Sequence, residues 1–345
     1  MSGRRILPVV SAAVAVSAAL AVGCSSPPGA PSGEEPAVSA ADAVRGGAAP
    51  GTASPPYWVD PESDAARQVS AWKEAGRLAD AKLLERISTH PVADWPAGDD
   101  PEEDIRAAVR GASPSHRSVL FVAYNIPHRD CGAYSAGGAS DANAYRSWME
   151  RFAGAIGDAP ATVVLEPDAV AHVVDGCTPA SIHSERLDLL SGAVDTLKAR
   201  PRTRVYLDAG NPEWLADPAK LVEPLRRAGI DRADGFSLNV SNFQTNDTVQ
   251  AYGERLSALL GGAHYVIDSS RNGRGPLPGG RSESWCNPPG RALGTPPTTD
   301  TGYERLDAYL WIKRPGDSDG PCRGGPAAGA WWPSYALGLA RAAGP

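Results

Sequence analysis

Between Ser118 and Ile312 the chain repeats one pattern six times: a short apolar, β-rich run that stops on a polar residue. The runs are Ser118–Ile126, Thr162–Glu166, Arg204–Leu207, Gly235–Val240, His264–Ile267 and Ala308–Ile312. Around and between them helical patterns cover Glu62–Ile87, Asp141–Ile156, Ile182–Ala199, Pro218–Ala228, Thr248–Leu260 and Ala330–Ala340. Strands that alternate with helices pair in parallel, so the chain is α/β, a parallel sheet covered by helices. No G-x-G-x-x-G follows a strand and no Walker loop is present, which removes support from the nucleotide-binding versions of this architecture.

The ends of the runs carry the chemistry. The first leads into Tyr124-Asn125 and Arg129-Asp130-Cys131, the second ends in Glu166-Pro167-Asp168, and the third in Asp208-Ala209-Gly210-Asn211. The fourth reaches Asn239 and Asn242, the fifth Asp268-Ser269-Ser270, and the last Lys313 and Asp317-Ser318-Asp319. In a parallel β/α barrel all of these ends converge on one face. A single Asp after a strand commonly does no more than cap the next helix. The whole set, with Trp58, Trp214 and Trp285 as flat apolar platforms, points instead to a carboxylate-lined cleft. Glycosidic bonds are cut by two carboxyl groups, one protonated and one charged. Crowded carboxylates create that difference by raising one pKa, and the reaction needs no cofactor.

Composition bounds the alternatives. A net charge of −7, with no basic cluster, argues against a nucleic-acid partner. The acidic run Asp99-Asp100-Pro101-Glu102-Glu103-Asp104 reads as a solvated helix start, where carboxylates suit the dipole. Arg4 and Arg5 followed by the uncharged Ile6–Val22 form an export signal, ending in Leu20-Ala21-Val22-Gly23-Cys24, which resembles a bacterial lipobox with Cys24 as the lipidated residue. Residues 1–24 are thus expected to be a lipoprotein signal, 25–56 a Ser-, Pro- and Gly-rich tether, and 57–345 the catalytic domain. Setting Cys24 aside leaves Cys131, Cys177, Cys286 and Cys322, two disulfides' worth of thiol in an exported chain, with three possible pairings. None sits in a CxxC or beside a His at zinc spacing, so no metal is expected.

Six blocks resemble the signatures of glycoside hydrolase family 6, in family order. They are Tyr124-Asn125-Ile126-Pro127 with Arg129-Asp130-Cys131-Gly132, Glu166-Pro167-Asp168, and Ser237-Leu238-Asn239-Val240-Ser241-Asn242-Phe243. Then come Asp268-Ser269-Ser270-Arg271-Asn272-Gly273, Trp285-Cys286-Asn287-Pro288, and the stretch Trp311–Gly320. The resemblance implies a distorted, partly open parallel β/α barrel, TIM-like with about seven strands, that cleaves β-1,4-glucans with inversion. It implies Asp168 as general acid, Asp130 as the neighbour that raises its pKa and assists the water, and Asp319 as candidate base, acting directly or through a water chain. Tyr124 would press on the distorted sugar, with Asp208 close by. Lys313, Asp317 and Asn242 would bind hydroxyls, and Trp58, Trp214 and Trp285 would stack. It also implies the pairs Cys131–Cys177 and Cys286–Cys322.

Two positions depart from the family: Asn211 stands where a His is usual and Asp317 where a Glu is usual, both on the substrate side. The expected protein is a monomeric, exported glucanase, endo-acting, whose partner is the glucan alone and whose membrane contact is a lipid anchor. A non-catalytic carbohydrate-binding lipoprotein on the same fold and a metal-dependent hydrolase are the competing readings.

Overall fold

The computed structural model describes residues 56–279 and 284–344. Cys24, the export signal and residues 25–55 of the expected tether lie outside the described residues.

The element order is α1 (Asp64–Glu74), α2 (Leu78–Ser88), α3 (Glu102–Ala112), β1 (Val119–Ala123), α4 (Ala142–Ile156), β2 (Ala161–Leu165), α5 (Ala171–Val174), α6 (Ala180–Lys198) and β3 (Thr203–Asp208). It continues with α7 (Ala219–Arg227), β4 (Gly235–Leu238), α8 (Asn246–Leu259), β5 (His264–Asp268), β6 (Leu306–Leu310) and α9 (Pro333–Ala342). The six strands pair in parallel in sequence order, β1 to β6, each beside its successor. The sheet curls into an open barrel wrapped by helices.

Strand periodicity splits the core in two. Leu120, Val122, Val164, Tyr206, Val266, Ala308 and Leu310 form a cluster that contains no helix residue, the filling of the barrel. Their neighbours Phe121, Val163, Val205, Phe236 and Tyr265 face outward and pack with Trp148, Phe152, Leu190, Leu225 and Leu256 from the helices. Caps set where several helices begin: Ser63 accepts from the Ala66 N–H at 3.3 Å, and Asp141 accepts from Asn143 and Ala144 at 2.8 and 3.0 Å. Helix α3 opens on Glu102, Glu103 and Asp104, the acidic run read as a helix start.

Two expectations change. Among the described residues the ladder has six strands where about seven were expected. The seventh place is held by residues 92–95, which never form a ladder. Ala93 N–H reaches Trp311 O at 3.0 Å, Asp94 N–H reaches Leu120 O at 2.9 Å, and Val122 N–H reaches Asp94 O at 2.8 Å, so this segment bridges the β1 and β6 edges. The helix expected over Glu62–Ile87 is two, because Gly76 turns to φ +73 between α1 and α2. The two then pack together, and with α9 they bury Trp72, Leu84 and Leu337.

Candidate active site

The C-terminal rim of the barrel gathers the polar strand ends. Backbone conformation is unusual there: Glu166 and Asp168 after β2 have φ of 50 and 69, Asn239 and Ser241 after β4 have 68 and 57, and Asp130 after β1 has 55. Non-glycine residues adopt this region at a cost, and such strain concentrates at functional sites.

On the β1–β3 side three carboxylates meet without a cation in the lead. The Asp168 N–H donates to Asp208 Oδ2 at 2.9 Å. Asp208, buried at the end of β3, also accepts from the Gly210 N–H at 3.1 Å and the Ser237 hydroxyl at 3.1 Å. Burial first, then Asp208, Asp130 and Asp175, push the Asp168 carboxyl well above the carboxylate range. Burial raises Asp208 as well, but its three donors favour its ionised form, so a proton shared by the pair belongs on Asp168. Asp130, the neighbour that the family resemblance implies, also raises Asp168, but after Asp208.

Asp130 sits on the loop after β1, its Oδ2 accepting the Ser135 N–H at 2.6 Å. A disulfide joins Cys131 to Cys177 and ties this loop to the segment after α5. Arg129 donates to Tyr124 O at 2.6 Å and Ser135 O at 2.7 Å, with its guanidinium 4.9 Å from the Tyr124 ring centre. Burial, and then the charges of Asp168 and Asp130, raise the Tyr124 phenol.

The β5–β6 side is built oppositely. Asp319 is 7% exposed, and its Oδ2 accepts from Arg271 Nη1 at 2.9 Å and the Asn287 N–H at 2.9 Å, while Lys313 Nζ lies 3.5 Å from Oδ1. Burial disfavours its charge, yet Arg271 and Lys313 together outweigh burial and hold its pKa below the carboxylate range. Asn287 in turn accepts the Asp319 N–H at 2.8 Å, next to the Cys286–Cys322 disulfide. Asp268, at the end of β5, accepts from the Ser241, Ser270, Ile312 and Lys313 N–H groups and so locks three strand ends together.

The remaining expected residues divide. Asp317 pairs with Arg314 at 2.8 Å, and its buried Oδ1 has no hydrogen-bond partner among the described residues. Asn211 is buried and its Oδ1 accepts the Glu213 and Trp214 N–H groups at 3.1 and 3.2 Å. Trp214 is held by its indole Nε1–H, which donates to Asp175 Oδ2 at 2.9 Å, and the Asn242 Oδ1 accepts the Phe243 N–H at 2.8 Å. Trp285 is 40% exposed, its ring centre 6.1 Å from that of Tyr134. Trp58 does not join them. Its N–H bonds Ser118 O before β1, at the end of the strand opposite Tyr124, and its ring packs over Gly111 of α3. Burying that ring in the helical layer is the stronger use of an indole flanked by apolar chain.

Two aromatic residues at the rim were missed. Trp95 packs edge-on against Tyr124 at 5.6 Å and donates to Ile312 O at 2.9 Å. The signal for it was a short run bounded by Pro91 and Pro96. Tyr134 lies on Gly320, whose φ of +147 and lack of a side chain admit the ring; a Cβ there would sit 2.6 Å from it. Spacing also concealed that a His172 ring nitrogen lies within 4.8 Å of the sulfurs of Cys131 and Cys177, both of which the disulfide occupies.

The model for Glycosyl hydrolases family 6 matches residues 52–343. The chain belongs to that family. Among family 6 relatives it is 40% identical to Endoglucanase A of Cellulomonas fimi over 289 residues, covering 83% of this chain and 61% of that one. It is 40% identical to Endoglucanase 1 of Streptomyces halstedii over 291 residues, covering 81% of this chain and 87% of that one. The endoglucanase Cel6 of Mycobacterium tuberculosis, solved with methyl-cellobiosyl-4-deoxy-4-thio-β-D-cellobioside, superposes with a TM-score of 0.76 at 43% identity, covering 85% of this chain and 99% of that one. The chain therefore spans about three-fifths of the C. fimi protein and nearly all of the M. tuberculosis structure.

Proposed function

We propose that this family 6 domain hydrolyses internal β-1,4-glucosidic bonds of cellulose-like glucans with inversion, Asp168 acting as general acid. The observation that carries the reading is the opposed surroundings of two carboxyls on one rim: the Asp168 N–H bonds the Asp208 carboxylate, which with burial raises Asp168, whereas Asp319 lies 2.9 Å from Arg271 and 3.5 Å from Lys313, which favour its charge. Asp168 passes its proton to the leaving glycosidic oxygen as the bond to the anomeric carbon breaks. Water attacks that carbon from the other face, assisted by Asp130, and its proton leaves toward Asp319. Ion pairing that keeps Asp319 charged also lowers its basicity, so we assign it the end of a water chain.

Tyr124 presses on the sugar next to the bond. Lys313, Asp317, Asn242 and Asn211 bind hydroxyls, while Trp214 and Trp285 stack. The endoglucanase names of the relatives support internal cleavage, and the cellobiose-derived ligand of the M. tuberculosis enzyme supports the substrate class. The apolar signal ending at Cys24 and the two disulfides support export, with Cys24 as the anchor.

Nuclear magnetic resonance of the first product from a cello-oligosaccharide tests the mechanism. Initial release of the α anomer is expected, and an initial β anomer would contradict inversion.

A further inference from the structure

Beneath the segment that carries Tyr124 and Asp130 lies a buried pair of charges to which the mechanism assigns no role. Glu166, two residues before Asp168, is fully buried, and its carboxylate accepts the Asn125 N–H at 2.9 and 3.0 Å and the Ile126 N–H at 2.9 Å. Arg186 of α6 is 3% exposed and donates through Nη2 to Pro127 O and His128 O, both at 2.9 Å. Four consecutive residues, 125 to 128, are thus gripped by one acid on their N–H side and one base on their carbonyl side. Tyr145 of α4 closes the chamber, its hydroxyl facing the Glu166 carboxylate without forming a hydrogen bond of good geometry.

This is an expensive way to hold a turn. Charged groups resist burial, and here burial pushes Glu166 up to about 7 and pulls Arg186 down. Arg186 Nε and Nη1 are buried with no hydrogen-bond partner among the described residues, an exception that native interiors rarely tolerate. The gripped segment ends on a strained residue, His128 at φ 57, and Asp130 and Cys131 just beyond it have φ of 55 and 47. Strain of this kind persists only where surrounding groups over-determine the backbone. Tyr124 immediately precedes the gripped residues, and Asp130 follows two positions later.

We propose that Glu166 and Arg186 are positioning residues that hold residues 125–128 so that Tyr124 and Asp130 keep their places beside Asp168. The proposal rests on the roles given above to Tyr124 and Asp130. It assigns Glu166 and Arg186 no contact with substrate.

The test is steady-state kinetics on a soluble β-1,4-glucan for Glu166→Gln and Arg186→Lys, each alone and combined with Tyr124→Ala. Misplacing a group beside the reacting bond should lower kcat by about 10- to 100-fold with KM within about twofold. In the Tyr124→Ala background the same substitution should cost severalfold less than in the parent, because one of the two positioned groups is gone. Equal losses in both backgrounds, or unchanged kinetics in a folded variant, would overturn the proposal. Should Glu166→Gln fail to fold, Arg186→Lys, which keeps the charge, carries the same comparison.

Amide exchange at Asn125 and Ile126 and the ring resonances of Tyr124 separate this proposal from the glucanase reading. If the parent enzyme leaves glucans intact, the glucanase reading fails. Faster exchange with shifted Tyr124 signals in Glu166→Gln would still support the positioning role, and unchanged exchange with unchanged signals would overturn it.

Discussion

The two sides of the cleft use the same residue type to opposite ends. On the β1–β3 side Asp168 is surrounded by Asp208, Asp130 and Asp175, and burial acts with those charges. On the β5–β6 side Asp319 is at least as well buried, but Arg271 at 2.9 Å and Lys313 at 3.5 Å reverse the outcome. Burial alone raises a carboxyl pKa in both places; whether the nearest fixed charge is an acid or a base decides the protonation. An aspartate's job on this rim is therefore set by its neighbours, and changing the neighbours or the acid itself should break the contrast in graded ways.

The largest effect is expected from Asp168→Asn. Turnover on unactivated glucan should fall by about 10²- to 10⁴-fold while binding of cello-oligosaccharides stays close to normal. Aryl glycosides with good leaving groups should regain part of the loss, as measured by their kcat. A matching loss on both substrate types would place the acid elsewhere.

Next comes the opposite side. Arg271 is fully buried, and Arg271→Met would leave the Asp319 charge without its closest partner. Breaking a buried pair in this way costs about 3–5 kcal/mol of stability, measurable by denaturant unfolding. A loss below about 1 kcal/mol, the range of exposed pairs, would show that water screens the pair.

A smaller effect sharpens the comparison because its sign differs between the sides. The folded pKa of Asp168 is raised, so its contribution to stability is present at low pH and is lost as pH climbs from the unfolded value toward the folded one. Asp168→Asn should therefore raise the melting temperature at pH 8 relative to the parent and change it little near pH 3. The folded pKa of Asp319 is lowered, so its contribution is present above the unfolded value and is lost as pH falls through the folded one. Asp319→Asn should lower the melting temperature at neutral pH, with the gap closing in acid. Parallel curves for the two variants would contradict the contrast.

The smallest effects belong to the two departures from the family. Asp317 Oδ1 is buried without a hydrogen-bond partner among the described residues, and Asp317→Glu would carry the carboxyl one methylene further from the backbone. A gained sugar hydrogen bond is worth roughly 0.5–1.5 kcal/mol, so KM should drop severalfold. Asn211→His should change KM less, because Asn211 Oδ1 bonds two backbone N–H groups that one ring nitrogen cannot both replace. Unchanged KM in both variants would remove these positions from the sugar-binding set.

Much of the fold was legible in advance because strand burial is written in composition: each apolar run from Ser118 to Ile312 became a strand within one to three residues at either end. The helix break at Gly76 was missed because an amphipathic pattern continues across it. The bridge over residues 92–95 was missed because it is held by isolated bonds and carries no period-two run. Among site residues, strand-end position identified Asp168, Asp208 and Asp319 but could not rank their neighbours, which is a matter of distance. Trp58 and Trp95 show the limit most plainly: both are single Trp residues near a turn, and only packing tells the core residue from the one beside Tyr124. Nothing in the local sequence marks the guanidinium of Arg271 or Arg186 for burial, since arginines are mostly exposed.

Site-resolved carbon resonance titration of the aspartate carboxyls in the ligand-free enzyme tests the opposed protonation directly. Asp168 should remain protonated well above the usual carboxylate range while Asp319 stays ionised to below it. Both groups titrating together near the ordinary aspartate value of about 3.9 would contradict the account.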